Sequence, residues 1–385
     1  MKDLLLILTL TAASVCCAAP DFEQTCGGPA FDRGVFVSPT RDGGYIAVGV
    51  TGSFGAGNED VYLVKSGPAG EILWSKTFGG AGNDNGWSVH ETTDGFVLAG
   101  FTNSSGNGNH DFYLVKTDPE GELAWSRTFG GEDRDRCWSL ALTADGGYVL
   151  AGETRSFGEG EEDFYLVKTD AGGEVQWTRS YGGKKSDRCF AVVQAADGGY
   201  VLAGQTYSEG AGDRDAYILK TSPAGELEWS QTFGGEASDV AHSVVATTDG
   251  DFLVTGYTTS FATAGDDPYL VRIDAQGETR WTRVLPIEET THTLTGDQSV
   301  DGGFYLVGFT ESRDSRAKSA ALVKTDAEGQ LVWHRNFAHV SRGETFGYTV
   351  RATADGGCVF TGHATADAPR DFDLLLVGVS GDEQK

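Results

Sequence analysis

The sequence predicts an all-β fold, a seven-bladed β-propeller of four-stranded antiparallel blades whose ring is closed by the N-terminal strand completing the last blade. Three observations predict it. Trp74, Trp125, Trp177, Trp229, Trp281 and Trp333 recur every 51 or 52 residues, a period in the range of propeller blades. The turn aspartates Asp42, Asp94, Asp145, Asp197, Asp249, Asp301 and Asp355 repeat with the same spacing but occur seven times rather than six. Composition agrees, because 55 Gly, 9 Pro, 21 Phe, 13 Tyr and 8 Trp describe many turns and aromatic packing rather than long helices.

Within one period, SDRCFAVVQAADGGYVLAGQTYSEGAGDRDAYILKTSPAGELEWSQTFGG divides into four short β-patterned runs separated by Gly/Asp turns. The first run precedes the DGG turn. The second is YVLAGQT, the third AYILKT, and the fourth ELEWSQTF follows a D-x-x-G-type turn whose glycine supplies positive φ. Six complete fourth runs serve seven sets of the other three, so the last unit lacks its outer strand. FEQTCGG, Phe22 to Gly28, aligns with SQTFGG and supplies it, which removes both open sheet edges. The expected organisation is a leader over 1–18 and one propeller over 19–385. Residues 21–28 form the outer strand of blade seven, and the blades run approximately 29–80, 81–131, 132–183, 184–235, 236–287, 288–339 and 340–380.

The leader assignment rests on LLLILTLTAASVCCAA, an apolar run after Lys2 that ends in small residues and reads as a secretory signal, with cleavage near Ala18. Ala13-Ser14-Val15-Cys16 is an imperfect lipoprotein box, so a secreted or acylated cell-surface protein is expected. No other segment is apolar enough for a membrane span. Cys26, Cys137, Cys189 and Cys358 are too sparse for a zinc site or a disulfide framework, and free thiols are expected. A formal charge of −27 argues against nucleic acid and anionic membrane as partners, since both select basic surfaces.

In such a meander the tight ADGG and DPEG turns share one face and the variable loops share the other. Variable loops on a rigid scaffold are where binding usually sits. Two sets of residues lie there. Asp32, Asp84, Asp135, Asp187 and Asp239 form a ring that could take Ca²⁺ or Mg²⁺, or could instead anchor the backbone of its own GGxxxD turn, the stronger reading for a residue placed identically in five blades. Glu288, His292, Arg313, Arg316, His339 and Arg342 lie where blades six and seven break the repeat, giving a locally basic stretch on an otherwise acidic face. They line a candidate recognition patch, with drift in a degenerate repeat as the competing account. The innermost-strand series Val35, Trp87, Trp138, Phe190, His242, Leu294 and Tyr348 reads as packing between blades. The series Gly34, Gly86, Cys137, Cys189, Ala241, Thr293 and Gly347 reads as small fillers near the axis.

The pattern DFYLVKTDPEGELAWSRTFGG, preceded by DGGYVLAG, resembles the repeat of secreted and cell-surface bacterial and archaeal β-propellers over nearly the whole mature chain. More distantly, YLVKTDxxGxxxW is similar to the tryptophan-docking repeat of pyrroloquinoline-quinone-type propellers, although the turn is shorter and the adjacent cysteine pair of those dehydrogenases is missing from the mature chain. With no catalytic motif and a variable loop face, the expected function is a non-enzymatic extracytoplasmic binding or scaffold protein that recognises a protein or glycan, as a monomer and without a cofactor apart from Ca²⁺ at the aspartate ring. The alternative is a polysaccharide hydrolase or lyase using loop carboxylates.

Overall fold

The computed structural model of the chain describes residues 22–263, 265–287, 289–312, 316–338, 343–365 and 372–381. The leader segment and four of the six patch residues, Glu288, Arg313, His339 and Arg342, lie outside them. The described residues form seven four-stranded antiparallel sheets, one per blade, and no α-helix. No helix among them is long and apolar enough to cross a membrane.

Each blade follows its sequence pattern. Blade four runs Asp187–Gln194, Tyr200–Thr206, Asp215–Thr221 and Leu227–Phe233, from the axis outward. In the first turn of blade one, Thr40 donates its hydroxyl to Asp42 at 2.6 Å and the Gly44 N–H donates to the same carboxylate at 3.0 Å. The third strand then sends a lysine back to this turn. Lys65, Lys116, Lys168, Lys220 and Lys324 reach Asp42, Asp94, Asp145, Asp197 and Asp301 at 2.6 to 2.9 Å, and Arg272 takes the same place against Asp249. The lysine stems are buried while the aspartates remain half exposed, so the amine keeps a charged partner at the protein surface. Hydrogen bonds from Thr40 and Lys65 hold the Asp42 carboxyl down at about 2.

Blades are joined by hydrophobic clusters that cross each boundary. Ile46, Val48, Val61 and Leu63 of blade one pack with Val89, Phe96, Leu98 and Val115 of blade two. The small-residue series belongs to this contact, since a Cβ on Gly86 would come within 2.5 Å of Val48 in the preceding blade. Cys137 and Cys189 are fully buried in the same role, and burial pushes their thiols far above the usual range. Among the described residues all four cysteines are free.

The tryptophan ladder works between blades as well. Trp74 lies under the D-x-x-G turn of blade two, where a Cβ on Gly121 would sit 2.8 Å from its ring, and it packs on Phe96 at 5.9 Å between centroids. Gly121 has φ +81°, so both the turn and the ring beneath it demand glycine.

Closure follows the expected pairing. Phe22–Cys26 runs antiparallel to Phe372–Val379, from Phe22 opposite Gly378 to Cys26 opposite Leu374, and is the outer strand of blade seven. The register shows one feature that the SQTFGG alignment left unassigned. Phe22 occupies the tryptophan position: it lies against Gly70 of blade one and packs on Tyr45 at 5.7 Å, as Trp177 packs on Tyr200 at 5.8 Å. Phe22→Ala removes this half-buried ring and should cost about 2 kcal/mol in urea unfolding, whereas Phe22→Trp should retain most of the stability. Equal midpoints for Phe22→Ala and wild type would show that the closing strand is held by its backbone alone.

Candidate functional site: the axial mouth of the loop face

The aspartate ring is built into the blade connections. Asp32, Asp84, Asp135, Asp187 and Asp239 are buried, and each accepts an N–H from the second glycine of its GG turn at 2.7 to 2.9 Å. Each also accepts a serine hydroxyl from the loop after the second strand, Ser53, Ser104, Ser156, Ser208 and Ser260, at 2.5 to 2.8 Å. One carboxylate oxygen therefore ties two loops of the variable face together, which is how aspartate stabilises turns generally. The other oxygen of Asp32, Asp84, Asp187 and Asp239 accepts no hydrogen bond among the described residues. No group of three or more His, Cys, Asp or Glu side chains converges as metal ligands among the described residues.

Of the recognition-patch residues, His292 and Arg316 are described. His292 lies 2.7 Å from Asp266 through Nε2 and stacks on Phe309 at 4.7 Å. Arg316 is exposed and pairs with Glu311 at 2.6 Å. Arg316, by its hydrogen bond first, and then Lys318 and His292 hold the Glu311 carboxyl below its ordinary value, so these groups share one electrostatic neighbourhood.

The repeat also varies around the axis. The residue after each ring position and its partner on the second strand form cross-strand pairs. These are Arg33 with Val50, Asn85 with Phe101, Arg136 with Glu153, Arg188 with Gln205, Val240 with Tyr257, His292 with Phe309, and Phe346 with His363. One register further along every second strand the residue is Thr or Ala, and one register back along every first strand it is Asp or Thr. The scaffold positions repeat, and the pairs between them do not.

These pairs divide the mouth of the ring into two sectors. Over blades three and four, Arg134, Arg155 and Arg188 converge on Glu162, with Arg155 Nη2 at 2.7 Å, Arg188 Nε at 2.5 Å and the Ser186 hydroxyl at 2.7 Å. Glu153, beside Arg136 in register, is 3.4 Å from Arg188. Around blades five to seven and back to blade one the sector is aromatic. Tyr257, His292, Phe309, Phe346, His363, Phe372 and Phe31 follow one another with centroids 4.4 to 5.8 Å apart. Lys318 lies over Phe309 and Phe346, and Arg33 over Phe31 and Trp87, which places cations on ring faces. A further arginine cluster, Arg134, Arg155 and Arg188 around Glu162, lies on blades three and four.

Below the mouth, an axial cavity of about 530 Å³ is walled by Val35, Trp87, Trp138, Phe190, His242, Leu294 and Tyr348. These residues read in sequence as packing between blades. They do pack across blade boundaries, and every innermost strand also carries a β-bulge at this position, which lets them line the cavity as well. An unpaired bulge residue is re-aimed out of the sheet, and alternation in sequence cannot show it. The rings still touch one another, Trp87 on Trp138 at 4.4 Å and Phe190 on His242 at 5.0 Å. Arg134, Arg136, Arg188 and Glu153 line the cavity at the loop face, and His90 and Arg351 also line it. Burial lowers His242 to about 3, with His292 and Arg214 opposing its charge as well, so the imidazole is neutral. The sequence signal was the D-R step at Asp32-Arg33, Asp135-Arg136 and Asp187-Arg188, next to the bulge series, together with the variable residue before Thr102, Thr154, Thr206 and Thr258.

The two buried glutamates are tuned apart. Burial would raise Glu162, but hydrogen bonds from Arg188, Ser186 and Arg155 outweigh it and hold the carboxyl at about 2. Burial raises Glu153, the negative charge of Glu162 adds to this, and the more distant arginines compensate only in part.

No protein-family model matches the chain. The regulatory protein FlaEY of Caulobacter vibrioides is 26% identical over 157 residues, a match that spans 34% of this chain and 16% of FlaEY. The chain therefore spans about a sixth of the length of that relative. Among solved structures, the WD40 domain of Neurospora crassa Pan2 aligns with a TM-score of 0.52 at 11% identity, covering 94% of this chain and 96% of that one. Puromycin hydrolase aligns with a TM-score of 0.55 at 15% identity, covering 93% of this chain and 54% of the hydrolase. At such identities the likeness shows the propeller fold.

The folded Glu162 value lies below its ordinary 4.5, so its contribution to stability is complete above pH 4.5 and is lost as pH falls toward 2. Carbon-detected NMR of the side-chain carboxyls at pH 4.5 should show Glu162 ionised and Glu153 more than half protonated. Titration of both together at 4.5 would mean that the arginines do not hold Glu162.

Proposed function

We propose that the protein is a non-enzymatic extracytoplasmic binding or scaffold propeller that recognises a protein or glycan through its variable-loop face, with the axial mouth as the centre of that surface. One observation carries the reading. In a chain built from similar units, the seven cross-strand pairs around the mouth each combine different residues, although arginine recurs as Arg33, Arg136 and Arg188. Repeated residues serve the scaffold, whereas specificity requires unlike groups at defined positions. The sign of the ligand follows from electrostatics. A chain of net charge −27 repels anions over most of its surface, and clustered arginines at one mouth create the local exception. The ligand surface that meets the mouth is therefore anionic. The repeat resemblance and the apolar N-terminal run support a secreted or cell-surface location, and the non-catalytic members of the resembling groups support a scaffold role.

A second reading, a polysaccharide hydrolase or lyase, draws on Glu153, which lines the cavity, and Glu162 beside it, since two neighbouring carboxyls whose proton affinities are pushed apart form an acid and base arrangement. Arrays of neutral, uronate-containing and sulfated glycans, with acidic peptides alongside, address the first reading. Binding should favour the anionic ligands and weaken about tenfold or more in Arg188→Gln, the loss expected for one desolvated charged contact. Indifference to ligand charge would overturn the proposal. Turnover of chromogenic glycosides that disappears in Glu153→Gln would replace it with the enzyme reading.

A further inference from the structure

The axial cavity beneath the mouth differs in chemistry from the loop face around it. Its volume of about 530 Å³ falls in the range of small-molecule sites. Its walls are flat side chains, with Trp87 and Trp138 edge to face and Phe190 beside His242. Flat walls favour flat ligands, because rings gain from stacked and edge-to-face contact beyond simple area burial. The indole N–H groups of Trp87 and Trp138 are shielded from solvent and find no acceptor among the described residues.

Charge at the entrance narrows the class. Arg134, Arg155 and Arg188 surround Glu162, and Arg136 faces Glu153 across the strand pair, so four guanidinium groups face two carboxylates. Glu162 is fully engaged by this network, while Arg136 stacks over Phe101 at 5.0 Å and its Nε–H donates to no acceptor among the described residues. His242 is neutral, so it adds no charge inside. A positively charged ligand would meet a cationic rim that repels it.

We infer that the axial cavity binds one planar organic anion, an aromatic or conjugated carboxylate whose ring lies among Trp87, Trp138 and Phe190 and whose carboxylate meets Arg136. This deepens the proposed function and rests on the axial mouth being the way in. Such a ligand is either a free metabolite-sized acid or the acidic aromatic end of a larger partner, and the shared chemistry is the flat anion.

Calorimetric titration of the full chain with 2-naphthoate, its neutral counterpart 2-naphthamide and the non-planar cyclohexanecarboxylate separates the terms. Naphthoate should bind with one-to-one stoichiometry and about tenfold more tightly than either control, the gain expected from one desolvated charge pair. The indole N–H resonances of Trp87 and Trp138 should shift on binding. Arg136→Gln should abolish the preference for acid over amide, and Trp138→Leu should weaken acid and amide alike. The wild-type comparison stands even where a variant fails to fold. Naphthoate binding no tighter than naphthamide or cyclohexanecarboxylate, or unmoved indole resonances, would overturn the assignment. Loss of this result while array ligands still depend on Arg188 would remove the cavity ligand alone; loss of both would remove the axial mouth as a recognition site.

Discussion

Everything in this molecule depends on a closed ring. A propeller blade packs only on its two neighbours, so an open array would leave two apolar blade faces in water, each comparable to the Ile46 and Val48 contact with Val89 and Leu98. The pairing of Phe22–Cys26 with Phe372–Val379 prevents this. It couples the two ends of the chain through backbone hydrogen bonds and through Phe22, which continues the tryptophan series into blade one. Closure also fixes the axis, and the cavity exists only because seven innermost strands are held around it.

Repetition then separates two kinds of residue. Turn aspartates, the lysines that reach them, the ring aspartates, their serine partners and the D-x-x-G glycines recur because each blade must solve the same problem. The cross-strand pairs at the mouth recur in position but not in identity. Since all blades share one geometry, unlike residues at one register become unlike sectors around a circle, here an arginine and glutamate sector facing a chain of aromatic rings.

Charge follows the same division. Aspartates and glutamates spread over the loops make the exterior acidic and soluble. Burial reverses the balance at the axis, where a guanidinium is tolerated because it stacks on Phe101, Phe31 or Trp87 or pairs with Glu162. The environments of Glu153 and Glu162 differ for the same reason. One carboxyl receives the donors, and the other receives mainly desolvation.

The sequence by itself determined the blade count, the four strands per blade and the closing strand. A period near 52 residues, seven turn aspartates against six tryptophans, and the match of FEQTCGG to SQTFGG are one-dimensional facts that allow a single ring. Identical placement in five blades favoured a backbone-anchoring role for the ring aspartates, and the structure shows each tying two loops through one carboxylate oxygen. Only the tertiary structure decided where function can lie. The bulge in each innermost strand makes Trp87, Trp138 and Phe190 cavity walls as well as packing residues, and no pattern of alternation contains a bulge. Ring closure brought Phe31 and Arg33 beside Phe372 and Tyr348, more than 300 residues apart, and folding gathered Arg134, Arg155 and Arg188 onto Glu162. Side-chain convergence across blades depends on a common axis, which exists in three dimensions and has no counterpart along the chain.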